Sequence, residues 1–511
     1  MVVFSKIIVI IAKIKQTKNV AMKKTLLLSA FLSLFLCIGC SDDTPTEQEV
    51  KDEYAAWKYV NAFAQGTMSQ YYLWKDEIAK DLDAWDWEWS EPKAKVLNIR
   101  YSENGQEVDR WTRLFDNYSE ETANIVTTYG FEYALYQAGS SKQLVLITTL
   151  VYPGSPAEKA GLKRGNLIVG LNNEPITTDN YQKLPTLASA ELMVQTQSSQ
   201  KVVKMQAVSM YEDPVVLDSI YRWENKKVGY LFYNKFNPLS CEKLISVCKR
   251  FKNEGVSELI LDLRYNLGGN SVVHQLLASM LAPEENVARN DVYLKRVHNK
   301  DYAEELRQKG ESSEQLLQSR MELAINGEKF DYDLADANIG ITKLYALTSG
   351  KTASASEALL IGLRPYLDIE IIGETTRGKF CGGYNLLAAD WYLSMVDTYR
   401  EEGRDFYAEH PDLADWKTHV ADWGIYVINY YFTDKTGTRP DFSKGLSPDF
   451  KVADAPFETY PLGDEREVLL HAALTRAGKT DLPSRGVESR SSEDDFLLLG
   501  YPSSGNELVE W

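Results

Sequence analysis

Two serines stand where an apolar run changes character. In Gly350–Leu363, GKTASASEALLIGL, Ser354 and Ser356 follow a strand-like segment and head a helix-like one. The first turn of a helix offers backbone amides without intrahelical partners and the positive end of the helix dipole. A serine there has the surroundings of a nucleophile, with amides ready to hold an oxyanion. It also has the surroundings of a plain cap, because Ser354 and Glu357 have capping-box spacing. The stretch alone favours the cap. A second stretch, GETTRGKFCGG, shifts that balance by placing Lys379 in a glycine-rich loop after an apolar strand. Burial disfavours the ammonium form, and a neutral lysine can take a serine's proton without a histidine. A solvated loop lysine is the alternative.

The elements that must position this pair alternate in type. KKVGYLFYNKF reads as a strand, LSCEKLISVCKRFKNEG as a helix ended by Gly255, and SELILDLRYNLGGN as a buried strand running into a glycine turn. ITKLYALTSG is a further strand, entering the helix ASASEALLIGLRPYL, and IEIIGETTRGK is a strand and loop. Strand–helix–strand order implies parallel crossovers and an α/β sheet. Polar segments at about 300–325 read as helical, an aromatic-rich insert covers about 395–430, and a tail with Ser/Glu/Asp runs follows Gly478.

Upstream, Thr122–Met210 is strand-rich. Within it Gly154-Ser155-Pro156 ends a strand, Pro156 opens a short helix to Ala160, and Gly161 closes it. Gly165 turns into the strand Leu167–Leu171, and Asn172-Asn173 forms a hairpin-like turn. YAAWKYVNAFAQGTMSQYYLW, nearer the N-terminus, has aromatics at helical spacing, which predicts core rather than a cofactor box. A carbohydrate platform built from these aromatics and the late insert is a weaker reading.

The formal net charge of −17 argues against nucleic acid or an anionic membrane surface as partner, and no Lys/Arg run offsets it. From Met22 the chain reads MKKTLLLSAFLSLFLCIGCSDD: a positive start and an apolar run too short for a comfortable transmembrane helix. Cys241 and Cys248, seven apart on one helix, lie about 10 Å from each other, too far for a disulfide, and read as buried thiols. No cysteine/histidine group has metal-ligand spacing, and no cofactor is expected.

These motifs together resemble the tail-specific, or C-terminal-processing, serine proteases. Ala353–Glu357 is that family's Ala-Ser-Ala-Ser-Glu, with a lysine, Lys379, twenty-five residues after its first serine. Gly373, Glu374, Gly378 and Lys379 match its Gly-Glu-x-x-x-Gly-Lys segment. Asp262, Leu263, Arg264, Asn266, Gly268 and Gly269 match Asp-Leu-Arg-x-Asn-x-Gly-Gly, and Gly445-Leu446-Ser447-Pro448-Asp449 matches a late motif. The upstream segment resembles the circularly permuted PDZ domains of bacterial proteases, with Arg164-Gly165-Asn166 in place of Pro-Gly-Asp. The leader resembles a bacterial lipoprotein signal in which Cys40 becomes the lipidated first residue, although Cys37 replaces the usual leucine. Ser41-Asp42-Asp43 resembles a Bacteroidetes surface-export signal.

The resemblance implies Ser354 as nucleophile, Lys379 as base, and the N–H groups of Ala355 and Gly268 or Gly269 as oxyanion hole. Ser356 is then structural, and Arg264 and Asn266 shape the glycine turn. Gly130, Phe131 and Glu132 correspond to the loop that receives a peptide's C-terminal carboxylate. Gly383 stands where many members have a glutamine that orients the lysine, and Pro365 where some have an aspartate. His274, His298, His410, His419 and His471 lie in no family motif. The expected layout is a signal peptide (1–40), a linker (41–52), a helical N-terminal domain (53–120), a PDZ-like β domain (121–211), an α/β protease core of the ClpP/crotonase-like type (212–476) and a tail (477–511). The expected function is a serine endopeptidase with a Ser/Lys dyad. PDZ recognition of free C-termini would guide it, and a lipid would anchor it to the bacterial cell envelope, on the periplasmic side of the outer membrane or at the cell surface. The alternative is a weak or inactive peptide-binding lipoprotein on the same scaffold.

Overall fold

The computed structural model describes residues 47–485 and 496–501, except 89, 140–142, 196–198, 326, 456 and 458–459. The leader and Cys40 lie outside the described residues. The chain divides into two compact units. The first takes its described residues from Met1–Thr122, Val297–Ser312 and Gly382–Tyr431, and the second from Ala123–Arg296, Ser313–Cys381 and Phe432–Trp511.

The first unit is built around the helix Glu47–Tyr71, whose Trp57, Tyr59 and Phe63 are buried. The aromatic insert packs on this helix. Gly66 makes room for Trp391, since a Cβ there would lie 2.4 Å from the indole. The Tyr392 hydroxyl donates to the Tyr59 carbonyl at 2.9 Å, and its ring stacks on Trp416 at 5.0 Å. These aromatics are core. Of the polar stretch expected to be helical, Lys300–Gln308 is a helix in this unit. The rest departs from expectation: Glu314–Leu316 is a strand, and Arg320–Ile325 pairs antiparallel with Glu328–Asp333. Met321, Leu323 and Ile325 are buried in strict alternation with exposed neighbours, a period of two that the charged composition obscures.

The second unit is built on two larger sheets. One contains β1 (Phe131–Ala138), β2 (Gln143–Val151), β3 (Leu167–Leu171), β4 (Ser189–Gln195) and β5 (Gln200–Gln206), with the short helix α1 (Pro156–Lys159) between β2 and β3. Asn172 and Asn173 both have positive φ, as a tight hairpin turn requires. The other sheet begins with β6 (Val215–Trp223) and β7 (Lys226–Tyr233). It continues through α2 (Cys241–Glu254) to β8 (Glu258–Asp262), and then α3 (Ser271–Leu281). Next come β9 (Lys343–Thr348), α4 (Ala355–Leu363), β10 (Asp368–Gly373), β11 (Phe450–Lys451) and α5 (Val468–Arg476). Its strand order is β6-β7-β8-β9-β10-β11, parallel from β7 onward. Gly255 closes α2 at φ 73°, and Cys241 and Cys248 are buried free thiols pushed up to about 12 by burial.

One apolar cluster joins the two sheets, with Ala134, Tyr136 and Ile147 from the first, Tyr230, Phe232 and Ile260 from the second, and Leu470 from α5. The PDZ-like segment and the α/β core therefore share one compact unit. A further strand, β12 (Phe496–Gly500), lies in the region read as tail and pairs antiparallel with β1. Its apolar run, FLLLG, is the signal that the neighbouring acidic residues mask.

Candidate active site

Parallel strands bring their carboxyl ends to one edge of the sheet, where crossover loops can converge. β8 delivers the 262–269 turn there, β9 the 349–354 turn, and β10 the Lys379 loop. The three are laced together by backbone and side-chain bonds. Ala353 N–H and the Ser356 hydroxyl both donate to the Asn266 carbonyl, at 3.0 and 3.1 Å. Thr352 Oγ1 donates to the Leu263 carbonyl at 2.8 Å, and Arg377 N–H donates to the Thr352 carbonyl at 2.9 Å. Ser356 and Asn266 thus tie the 349–354 turn to the 262–269 turn.

Ser354 is the N-cap residue of α4, with φ 57° and ψ −113°. A cap normally has extended backbone. A non-glycine residue in this region costs about 1–3 kcal/mol and persists only where its surroundings over-determine it. Gly268 supplies part of that constraint: at φ 104° its missing side chain leaves room for Ser354, since a Cβ would lie 2.7 Å from the serine Cβ and 2.9 Å from Ala355 N. Gly268 is thereby set beside Ser354 and Ala355, while Gly269, at φ 139°, lies against Phe236, whose carbonyl oxygen would be 2.4 Å from a Cβ. Gly268 N–H donates to Asn266 Oδ1 at 2.8 Å.

Glu357 supplies the rest. Its carboxylate is wholly buried and accepts Ser354 N–H (2.8 Å), Gly378 N–H (2.7 Å), Lys379 N–H (2.9 Å) and the Thr376 hydroxyl. Burial pushes the carboxyl above its ordinary range, against the pull of these donors. One carboxylate thus fixes the backbone of both Ser354 and Lys379, and both residues are partly exposed. From the sequence, Glu357 is legible as a cap partner; its bonds to a loop some twenty residues on are not. Gly383 has no space for a side chain, because a Cβ would lie 2.2 Å from the Val427 carbonyl oxygen. The late motif braces the Lys379 loop through Leu446 N–H, which donates to Thr376 Oγ1 at 2.8 Å, and holds β10 through Asp449 Oδ2, which accepts from Ile371 N–H at 2.8 Å.

Arg264 is fully buried and serves the scaffold. It binds Asp262 (2.7 Å), Asp454 (3.1 Å) and Glu467 (2.5 Å). Burial would push Asp454 and Glu467 up, but Arg164 and Arg264 hold both below the usual carboxylate range. His274 is buried in α3 with its pKa lowered to about 3 by burial and then by Arg296, and it bonds to the Tyr293 hydroxyl.

The residues expected to receive a carboxylate lie where β1 begins. Gly130 has φ 72°, and a Cβ there would lie 2.3 Å from the Ser155 Cβ, so only glycine fits. Its N–H donates to Thr128 Oγ1 at 2.9 Å. Phe131 packs its ring 5.7 Å from that of Tyr133. Glu132 reaches toward the 349–354 turn: it forms an ion pair with Lys351, three residues before Ser354, and accepts from Asn234 and the Tyr152 hydroxyl. Burial would raise its carboxyl, but Lys351 overrides that and holds it below the ordinary range. Nothing in the sequence signals the Glu132–Lys351 pair.

Residues 227–406 match the model of peptidase family S41, and residues 147–184 match a PDZ domain. The carboxy-terminal processing protease CtpA of Bacillus subtilis is 23% identical over 319 residues, covering 61% of this chain and 56% of that protein. The carboxyl-terminal-processing protease of a Picosynechococcus strain is 25% identical over 338 residues, covering 65% of this chain and 66% of that one. The chain thus spans between about half and two thirds of the length of these relatives. A crystal structure of a Bacteroides fragilis protein assigned to the S41 proteases superposes with a TM-score of 0.59, at 24% identity, over 81% of this chain and 96% of that one, and shares its fold.

Proposed function

We propose, from the premise that the chain carries a peptidase family S41 core behind a PDZ domain, that it is a serine endopeptidase working with a Ser354/Lys379 dyad. The observation that carries this reading is the Ser354 backbone, held in a conformation no cap needs by the carboxylate that also holds Lys379. Ser354 Oγ attacks the scissile carbonyl carbon and Lys379 Nζ takes the hydroxyl proton. The oxyanion forms against Ala355 N–H and the Gly268–Gly269 turn. Lys379 returns the proton to the leaving amine as the acyl-enzyme forms, and water then releases the acyl product by the same steps. Proteins or peptides with free C-termini are the substrates, bound through the PDZ domain by addition of a strand. Cys40 anchors the chain by a lipid in the cell envelope, an extension that rests on the leader sequence alone.

The decisive experiment incubates native protein, Ser354→Ala and Lys379→Ala with an unstructured protein ending in apolar residues and follows cleavage by mass spectrometry. Native protein cleaves, and both variants fold but do not. Undiminished cleavage by either variant rules the dyad out. Metabolic labelling with an alkyne fatty acid, abolished in Cys40→Ala, tests the anchor.

A further inference from the structure

Peptide ligands that add a strand need a free sheet edge. In the PDZ sheet the main strand order is β5-β4-β3-β2-β1-β12, so β1, the strand that opens after the Gly130 loop, has β2 on one side and β12 on the other. β12 is a late segment of this same chain. It runs antiparallel to β1, with Phe496 opposite Ala138, Leu497 opposite Gln137, Leu498 opposite Tyr136 and Gly500 opposite Leu135. Its direction is therefore that of a ligand approaching the Gly130 loop with its C-terminal end leading. Its side chains fill sites on both faces. Leu499 joins the apolar cluster of Tyr133, Leu135 and Tyr181, while Leu498 and Phe496 join the cluster shared with the α/β core. Beyond Gly500, Tyr501 is buried, with its ring 6.2 Å from that of Tyr265 and the Lys351 ammonium 5.6 Å from its centroid. Lys351 is the partner of Glu132 and stands three residues before Ser354.

We propose that residues 496–501 are a resident pseudo-ligand of the PDZ edge, competing with incoming chain ends for β1. The occupant describes the partner class: an extended segment with apolar side chains at successive ladder positions and an aromatic ring that ends beneath Lys351. A tethered competitor acts at an effective concentration of about millimolar, so the edge admits only segments that outbid it locally or arrive when it is displaced. The proposal rests on the PDZ half of the function above, and its test reads binding rather than cleavage.

The test uses the full chain in a Ser354→Ala background with a fluorescein-labelled octapeptide matching residues 494–501, followed by anisotropy. Leu498→Pro places a proline in the middle of β12, where its fixed φ and missing N–H disfavour strand pairing. This variant binds the peptide at least tenfold more tightly than the parent. Equal affinity, or binding to neither protein, overturns the proposal. If Leu498→Pro loses its native circular dichroism, a clamp decides instead. Gln137→Cys with Leu497→Cys joins directly opposed positions, and the oxidised form binds at least tenfold more weakly than the reduced form. Indistinguishable oxidised and reduced forms overturn it. Failure of the dyad to cleave leaves both readouts intact.

Discussion

Ser155 and Ser354 occupy the same local pattern, Ser-x-x-Glu at the head of a helix. Ser155 is a cap in full: its backbone is extended at φ −70°, ψ 163°, and its hydroxyl accepts Glu158 N–H at 3.1 Å. It is buried, with the Cβ-free face of Gly130 against it. Ser354 has positive φ and is partly exposed. The two glutamates differ in the same way. Glu158 accepts the local Gly154 N–H, whereas Glu357 is buried and ties Ser354 to Gly378 and Lys379. The pattern specifies a helix start in both places. What turns one start into a candidate nucleophile is the company brought by two other crossovers.

That contrast breaks if the two serines respond alike to mutation. The largest effect belongs to Ser354→Ala, with cleavage falling at least about 10⁴-fold in single-turnover assays while the melting temperature holds; Lys379→Ala loses about 10²–10⁴-fold. Arg264→Ala strands buried carboxylates and costs about 3–5 kcal/mol in urea unfolding. Glu357→Gln keeps the shape but turns an amide toward N–H donors. As a positioning residue it lowers kcat about 10²-fold with KM little changed, whereas a purely structural role would lower stability alone.

Glu132→Gln sharpens the comparison from the PDZ side, costing about 1.5–3 kcal/mol at neutral pH. The Glu132 carboxyl has a folded pKa below its ordinary value of 4.5. Its contribution is therefore full above about pH 4.5 and is lost as pH falls through the lower folded value. The Gln variant accordingly shows a shallower acid limb in denaturation against pH. Ser155→Ala gives the smallest effect, about 1 kcal/mol, with cleavage per folded molecule unchanged.

Most of the scaffold was legible because its signals are local. Apolar runs of strand length, Gly255 as a helix stop and Asn172-Asn173 as a turn each act within a few residues, and each lies where expected. The 320–333 hairpin and β12 were missed because charges nearby dilute a period of two and a short apolar run. The importance of Glu357 was half legible, since the capping box names its nearer partner only.

The sequence by itself determined the order of the crossover strands and helices, the glycine turns and the spacing that singles out Ser354 and Lys379, since these depend on steric and hydrophobic preferences of neighbouring residues. Only the tertiary structure decided which Ser-x-x-Glu merely caps, that Glu132 pairs with Lys351, and that the chain's own residues 496–501 cover the edge of β1. Those outcomes depend on which buried charges and unpaired strand edges meet after folding, and such meetings join positions tens to hundreds of residues apart that no local pattern encodes.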